Sequence, residues 1–199
     1  MSGISNLAPF DEMGRVQMVV ETPRGSSIKY AYDAKTGIFT VSRSLALGVT
    51  YPFDWGFIPG TLSDDGDPVD ALCLHRYASF PGVVLPSRCV AVVDVDQKGR
   101  SGRVVNPRII LAPDWQGSGT ADAKSLSKRS KEEIEQFFLN ATLFTSKDAR
   151  IIGWRNREAA EKLLRDKAVG KSTPVGHAQE AADTSELNAA GTPPERSAS

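Results

Sequence analysis

The sequence predicts an α+β fold that is mainly β, a closed or partly closed antiparallel barrel followed by two helices. Three observations predict it. At least six short β-branched or alternating runs recur at hairpin spacing before residue 112. Two stretches with capping residues and helical apolar spacing follow, and from about Gly170 all periodicity stops. The chain has 199 residues, 40% of them hydrophobic, which suffices for one domain with a substantial core.

In chain order, residues 1–14 read as a loose lead-in and 15–168 as the barrel domain with its helices. Residues 169–199 are rich in Ala, Ser, Thr, Pro and Glu and read as a disordered tail. Arg15 to Thr22 is the first strand, Ile28 to Tyr32 the second and Ile38 to Arg43 the third, with hairpin residues Asp33 to Gly37 between the last two. Alternation sets Lys29 opposite Ile28, and Lys29 and Arg43 are expected to face one shared cleft. Tyr51 to Gly60 is aromatic, broken by Pro and Gly, and reads as irregular. Further strands are expected at Ala71 to His75, Val83 to Pro86, Arg88 to Asp96 and Arg103 to Leu111, with a polar hairpin over Gln97 to Gly102. Residues 115–123 read as a Gly/Ser-rich loop. Ser130 with Glu133 predicts a capping box, and Ile134, Phe137 and Phe138 an apolar stripe that Phe144 extends. Ile151 to Trp154 reads as extended, and Asn156 as the cap of a helix over Arg157 to Lys167.

Charge is balanced, with 24 basic and 24 acidic residues, so no electrostatic footprint for nucleic acid is present. No secretory leader and no membrane-length apolar run is evident. The two cysteines, Cys73 and Cys89, lie in apolar runs and read as buried thiols of a reducing compartment, with a disulfide as the alternative that nothing in the sequence supports. The simplest reading is a soluble cytoplasmic protein with neither nucleic-acid nor membrane partners.

Within this frame the segment Asp64-Asp65-Gly66-Asp67-Pro68-Val69-Asp70 stands out, with four carboxylates in seven residues. Asp, Gly and Pro are turn residues, and a solvated turn is the plain reading. Asp70, however, enters the apolar run Val69 to Leu74, where an unpaired carboxylate is costly. Bending at Gly66 and Pro68 can turn Asp65, Asp67 and Asp70 toward one point, and three hard oxygen ligands suit Mg²⁺, with Mn²⁺ as the alternative. Carboxylates facing Lys29, Arg43 and Tyr51 make the combination that phosphoryl transfer needs.

These residues resemble family I inorganic pyrophosphatases. The signature D-x-D-P-x-D stands as Asp65-Gly66-Asp67-Pro68-Val69-Asp70. The segments Val19-Val20-Glu21-Thr22-Pro23, Ile28-Lys29-Tyr30, Val41-Ser42-Arg43, Tyr51 to Pro59 and Gly153-Trp154 are collinear with family motifs over roughly residues 16–167. The resemblance implies a five-stranded OB-like barrel with flanking helices, a homo-oligomer, and Mg²⁺-dependent hydrolysis of inorganic diphosphate. It implies that Asp65, Asp70, Asp67, Asp96 and Glu21 serve the metals. It further implies that Asp67 activates the water and that Lys29, Arg43, Tyr51 and Arg103 hold the phosphates. Several family positions differ. Ala31 stands for a Glu, Trp55 for a Tyr, Ser101 for a metal carboxylate, Arg103 for a Lys, and Ala141-Thr142 for a Tyr-Lys pair. Those departures leave two alternatives beside efficient hydrolysis. One is a hydrolase of another diphosphate, with Trp55 stacking on a base, and the other a catalytically weak or inactive binding paralogue.

Overall fold

The computed structural model describes residues 3–99, 102–114 and 126–169. Its elements are β1 (Val16–Thr22), β2 (Ile28–Asp33), β3 (Ile38–Ser44), β4 (Asp54–Ile58), β5 (Val69–Cys73), β6 (Val84–Gly99), β7 (Gly102–Pro113), α1 (Lys128–Asn140), β8 (Arg150–Arg155) and α2 (Arg157–Lys167). Five strands close a ring: β1 pairs with β4, β4 with β5, β5 with β7, β7 with β6, and β6 returns to β1. Strand β8 extends the sheet beyond β6, and β2–β3 forms a separate hairpin. One pair departs from the expected antiparallel pattern. Strands β5 and β7 run parallel, because β6 lies between them in sequence and takes the return direction.

Two cores lie on opposite faces of the ring. Every ring strand sends side chains to the interior, among them Met18, Ile58, Ala71, Val92 and Leu111, and Ala160 and Leu164 of α2 complete that cluster. The outer face carries Trp55, Leu72, Val93, Val95 and Ile110 and is covered by Ile134, Phe137 and Phe138 of α1. These apolar contacts hold the helices in place, since isolated helices of 13 and 11 residues are marginal in water.

Several elements differ from the sequence expectation. The segment read as irregular contains β4, all five of whose residues are buried. Its Gly56 reflects a close approach rather than a break, because a Cβ there would lie 1.9 Å from the Val19 carbonyl oxygen of β1. The expected strands at Val83–Pro86 and Arg88–Asp96 are one strand of 16 residues, which continues through Gln97. Helix α1 is capped by Ser127, whose Oγ accepts from the Ser130 amide at 3.0 Å, while Glu133 pairs with Arg129. Phe144 is fully exposed at φ 60°, outside the helix stripe. The lead-in is not loose along its described part. The Gln17 amide donates to the Pro9 carbonyl at 2.9 Å, and Ile4 and Leu7 pack on Val19, Tyr32 and Phe57. Asn156 caps α2 as expected, accepting from the Ala159 amide at 3.1 Å. The expected loop over 115–123 and the tail from about Gly170 lie outside the described residues.

Gly56→Ala should lower the stability of the folded chain by about 1–3 kcal/mol or more, because the added methyl meets backbone rather than a flexible side chain. Urea unfolding monitored by tryptophan fluorescence reads this directly, and an unchanged midpoint would show that β1 and β4 separate without cost.

Candidate active site

Strand parity builds the site. On β5, Val69, Ala71 and Cys73 face the interior, so Asp70 and Leu72 share the outer face with Trp55 of β4. On β7, Ile109 and Leu111 face inward, which sets Asn106 and Arg108 outward. On β6, Val95 and Gln97 point to the same side. The outer face thus carries polar groups among its apolar ones at the end that α1 leaves open.

A solvent-open cavity lies there. Its floor is Trp55, Val95, Gln97 and Arg108, and its roof is Phe137, Phe138, Ala141 and Thr142. Lys29 and Arg43 enter from the β2–β3 hairpin, where they are direct register partners. Arg43 is fixed by a 2.5 Å hydrogen bond from Nη2 to the Ala141 carbonyl at the end of α1. Tyr51 is buried against Trp55 and Phe137, with ring centroids 6.3 Å and 5.0 Å away. Burial pushes its phenol well above the usual tyrosine range, and the nearby Arg43 charge does not reverse this, so Tyr51 stays a neutral hydroxyl. Glu21 is buried on β1 and accepts from the Tyr32 amide at 2.8 Å, which ties the hairpin to the barrel.

The acidic segment forms the turn between β4 and β5. The Ser63 amide donates to the Asp67 carbonyl at 2.7 Å and the Gly66 amide to the Ser63 carbonyl at 3.1 Å, with Gly66 at φ 91°, a conformation that favours glycine. Asp65 accepts from the Asp67 amide at 3.2 Å and from Asn106 Nδ2 at 2.5 Å. Asp70 is ion-paired with Arg108. Asn106 and Arg108 therefore join the aspartate turn to the cavity, with Asp67 half-buried near the tip of that turn.

The structure does not bring Asp96 and Arg103 to this cavity. Parity on β6 turns Asp96 away from the face that Gln97 occupies. Asp96 Oδ2 accepts from Arg103 Nε at 2.6 Å, and Arg103 Nη1 donates to Asp148 at 2.8 Å. Both expected site residues belong instead to a surface ion cluster by the β6–β7 hairpin, with Lys98 and Arg150 also near Asp148. The cavity-facing position next to Asp96 is Gln97, a carboxamide. Ser101 lies outside the described residues.

A model of the family described as inorganic pyrophosphatase matches residues 18–169. The chain belongs to the inorganic pyrophosphatase family. It is 38% identical over 154 residues to the inorganic pyrophosphatase of Thermus thermophilus, covering 75% of this chain and 86% of that one. It is 37% identical over 169 residues to that of Aeropyrum pernix, covering 83% and 95%. The crystal structure of the Thermus thermophilus inorganic pyrophosphatase superposes with a TM-score of 0.76 at 33% identity, covering 83% of this chain and 97% of that one. The Helicobacter pylori inorganic pyrophosphatase gives 0.71 at 34%, covering 77% and 91%. The ring of five strands with flanking helices is the OB-like barrel of this family.

Membership implies a divalent-metal requirement in general. Asp65, Asp67 and Asp70 are hard oxygen donors on one turn and suit such an ion chemically. As they stand, Asn106 holds Asp65 and Arg108 holds Asp70, and no group of three His, Cys, Asp or Glu among the described residues is arranged to hold a metal. The donor set therefore fits an ion once these two partners yield. Ala31 on β2 and Gln97 on β6 add no carboxylate, and Ala141 and Thr142 line the cavity without a charge. Sequence reasoning missed Asn106, Gln97 and Arg108. The available signal was the one that singled out Asp70, a charge beside an apolar run, here Arg108 before Ile109-Ile110-Leu111.

The loop carrying Tyr51 has its own anchor. The Gly25 amide donates to the Tyr51 carbonyl at 2.8 Å, and the Arg24 amide to Asp54 Oδ1 at 2.7 Å. The other Asp54 oxygen contacts His75 Nε2 at 3.0 Å and accepts from Ser79. Burial alone would raise the Asp54 pKa, but the His75, Ser79 and Arg24 hydrogen bonds together hold it below its ordinary value. A depressed folded-state pKa contributes stability above the unfolded value near ~3.9 that is lost as pH falls through the folded one. Asp54→Asn should therefore cost about 1–3 kcal/mol at neutral pH and progressively less below pH ~4. Urea unfolding at pH 7 and at acid pH tests this, and a pH-independent difference would be inconsistent with it.

Proposed function

We propose that this chain hydrolyses inorganic diphosphate to two phosphates in the cavity between the β2–β3 hairpin, α1 and the outer face of the barrel. The observation that carries the reading is the convergence of Lys29, Arg43 and Tyr51 on one cavity joined to the Asp65/Asp67/Asp70 turn, in a chain of the inorganic pyrophosphatase family. Lys29 and Arg43 bind diphosphate oxygens, and Arg43 is oriented for this by its bond to the Ala141 carbonyl. The neutral Tyr51 hydroxyl adds polarity to a wall otherwise formed by aromatic rings. Asp67 takes the proton of the attacking water, for which its place near the turn tip leaves it accessible. Phe137, Phe138 and Trp55 exclude water from one side of the cleft, which strengthens the charge interactions within it.

The metal we propose is Mg²⁺, held by Asp65, Asp67 and Asp70, with Mn²⁺ as the alternative. When bound, it would supply charge neutralisation and a more acidic water. Because Asp70 must exchange Arg108 and Asp65 must exchange Asn106, metal affinity should be weak. Trp55 does not support the nucleobase alternative, since it is only 7% exposed and is packed between Tyr51 and Phe138 with Arg108 over its ring. A cytoplasmic location is part of the same proposal, supported by two buried free thiols whose pKa burial pushes up to about 12. No helix among the described residues is long and apolar enough to cross a membrane. The homo-oligomer expected from the family resemblance also stands as a proposal.

Phosphate release from diphosphate should appear at millimolar Mg²⁺ or Mn²⁺, and Asp67→Asn should reduce kcat by about 10²-fold or more. Absence of release by the wild type with either metal would refute the activity.

A further inference from the structure

The cavity's most unusual member is Arg108. Its side chain is 9% exposed, on a strand whose neighbours Ile109 to Leu111 are wholly buried. A guanidinium keeps its charge at any physiological pH, so burial cannot neutralise it and a partner must. Three of its contacts matter here. Asp70 is its ion-pair partner, Gln97 Oε1 accepts from Nη2 at 3.3 Å, and the Trp55 ring lies under the guanidinium carbon at 5.2 Å. Asp70 is thus neutralised by the chain's own cation, in the place where a divalent ion would otherwise do so.

The charge of the cavity follows from this. Lys29, Arg43, Arg108 and Lys147 line it, and no carboxylate among the described residues does. Of the nearby acids, Asp70 pairs with Arg108 and Glu21 accepts from the Tyr32 amide. A cleft lined by one sign of charge and walled by aromatic rings concentrates its field on an ion of the opposite sign. Guanidinium groups match a phosphate oxygen pair in geometry as well as charge.

We propose that Arg108 is a resident cation of this site and lets the cavity bind an inorganic phosphate or diphosphate oxyanion with no divalent metal present. The ligand class rests on the proposed function, whereas independence from metal does not. Arg108 acts from the Trp55 ring, held between Asp70 and the anion, and a divalent ion competes with it for Asp70.

The test is calorimetry on the full chain after chelation, titrating inorganic phosphate and diphosphate in EDTA at low ionic strength. Wild type should bind diphosphate. Arg108→Gln should bind it about tenfold to a hundredfold more weakly. Asp70→Asn, which releases Arg108 from its carboxylate, should bind at least as tightly as wild type although it loses a metal donor. In Mg²⁺ titrations without anion, Arg108→Gln should bind the metal more tightly than wild type, because Asp70 no longer has a competing cation. No diphosphate binding by wild type in EDTA, or equal binding by Arg108→Gln, overturns the proposal. Should Arg108→Gln fail to fold, Asp70→Asn decides alone, and its loss of metal-free binding overturns the proposal. Turnover with Mg²⁺ but no binding in EDTA would remove this inference and leave the hydrolase standing. Binding in EDTA without turnover under any metal would do the reverse.

Discussion

Strand β6 constrains everything else in the molecule. It pairs with β1, β7 and β8, and so both closes the ring and extends it. Beyond the register irregularity between Cys89 and Ala91, a side-chain period of two along this strand sets which residues turn to the cavity and which turn away from it. Val92 fills the barrel, while Val95 and Gln97 turn to the cavity. Asp94 and Asp96 fall on the other parity and are taken by Arg155 and Arg103. The same parity on β5 and β7 brings Asp70 and Arg108 onto one face, where their pairing follows from the cost of leaving either charge alone near a core.

That pairing shapes the electrostatics. Each group would be strongly destabilising alone at this depth, and together they allow a charged outer face between two apolar layers. It also changes what a metal would meet. The turn supplies three carboxylates, but one arrives with a guanidinium and one with a carboxamide attached. Metal binding on such a turn is an exchange of partners rather than the filling of a vacant cage, so its affinity depends on how firmly β7 holds the two aspartates. The position of α1 matters for the same reason. Phe137 and Phe138 pack on Tyr51 and Trp55, and the last turn of that helix holds Arg43, so helix docking and the proposed anion binding share one set of contacts.

Much of this was legible in the sequence, and the residues show where and why. Reading the two segments as strands of one hairpin was enough to bring Lys29 and Arg43 together, and they are direct register partners, although the ladder shifts between Lys29 and Tyr30 in a way that alternation does not show. The turn at Gly66 and Pro68 and the cap at Asn156 depend on local chemistry and read directly. The failures have physical causes too. Pro52, Gly56, Pro59 and Gly60 look like breakers, but Gly56 is demanded by the carbonyl of a neighbouring strand, a contact that only the folded ring reveals. Asp96 was expected in the site and Gln97 in a loop because β6 runs further than its polar end suggests. One residue of register then moved a carboxylate to the far side. Arg103 followed Asp96 to the surface cluster.

Trp55, Gln97 and Arg108 are best understood as one set. A buried arginine needs a carboxylate for its charge, an acceptor for a further N–H and a flat surface for its face, and these are Asp70, Gln97 and the indole. A phenol at position 55 would offer a smaller face, and a carboxylate at position 97 would add a second negative charge competing with Asp70 for the same guanidinium. Changes at these positions should therefore be non-additive, as expected for side chains that share one partner. Placing a Tyr at 55 or an Asp at 97 singly would disturb the support of Arg108 without building a metal cage, whereas replacing all three together removes the cation and frees Asp70 at once. The outer shell of this site is thus a second arrangement consistent in itself, in which the chain's own guanidinium balances the aspartate that the family motif retains.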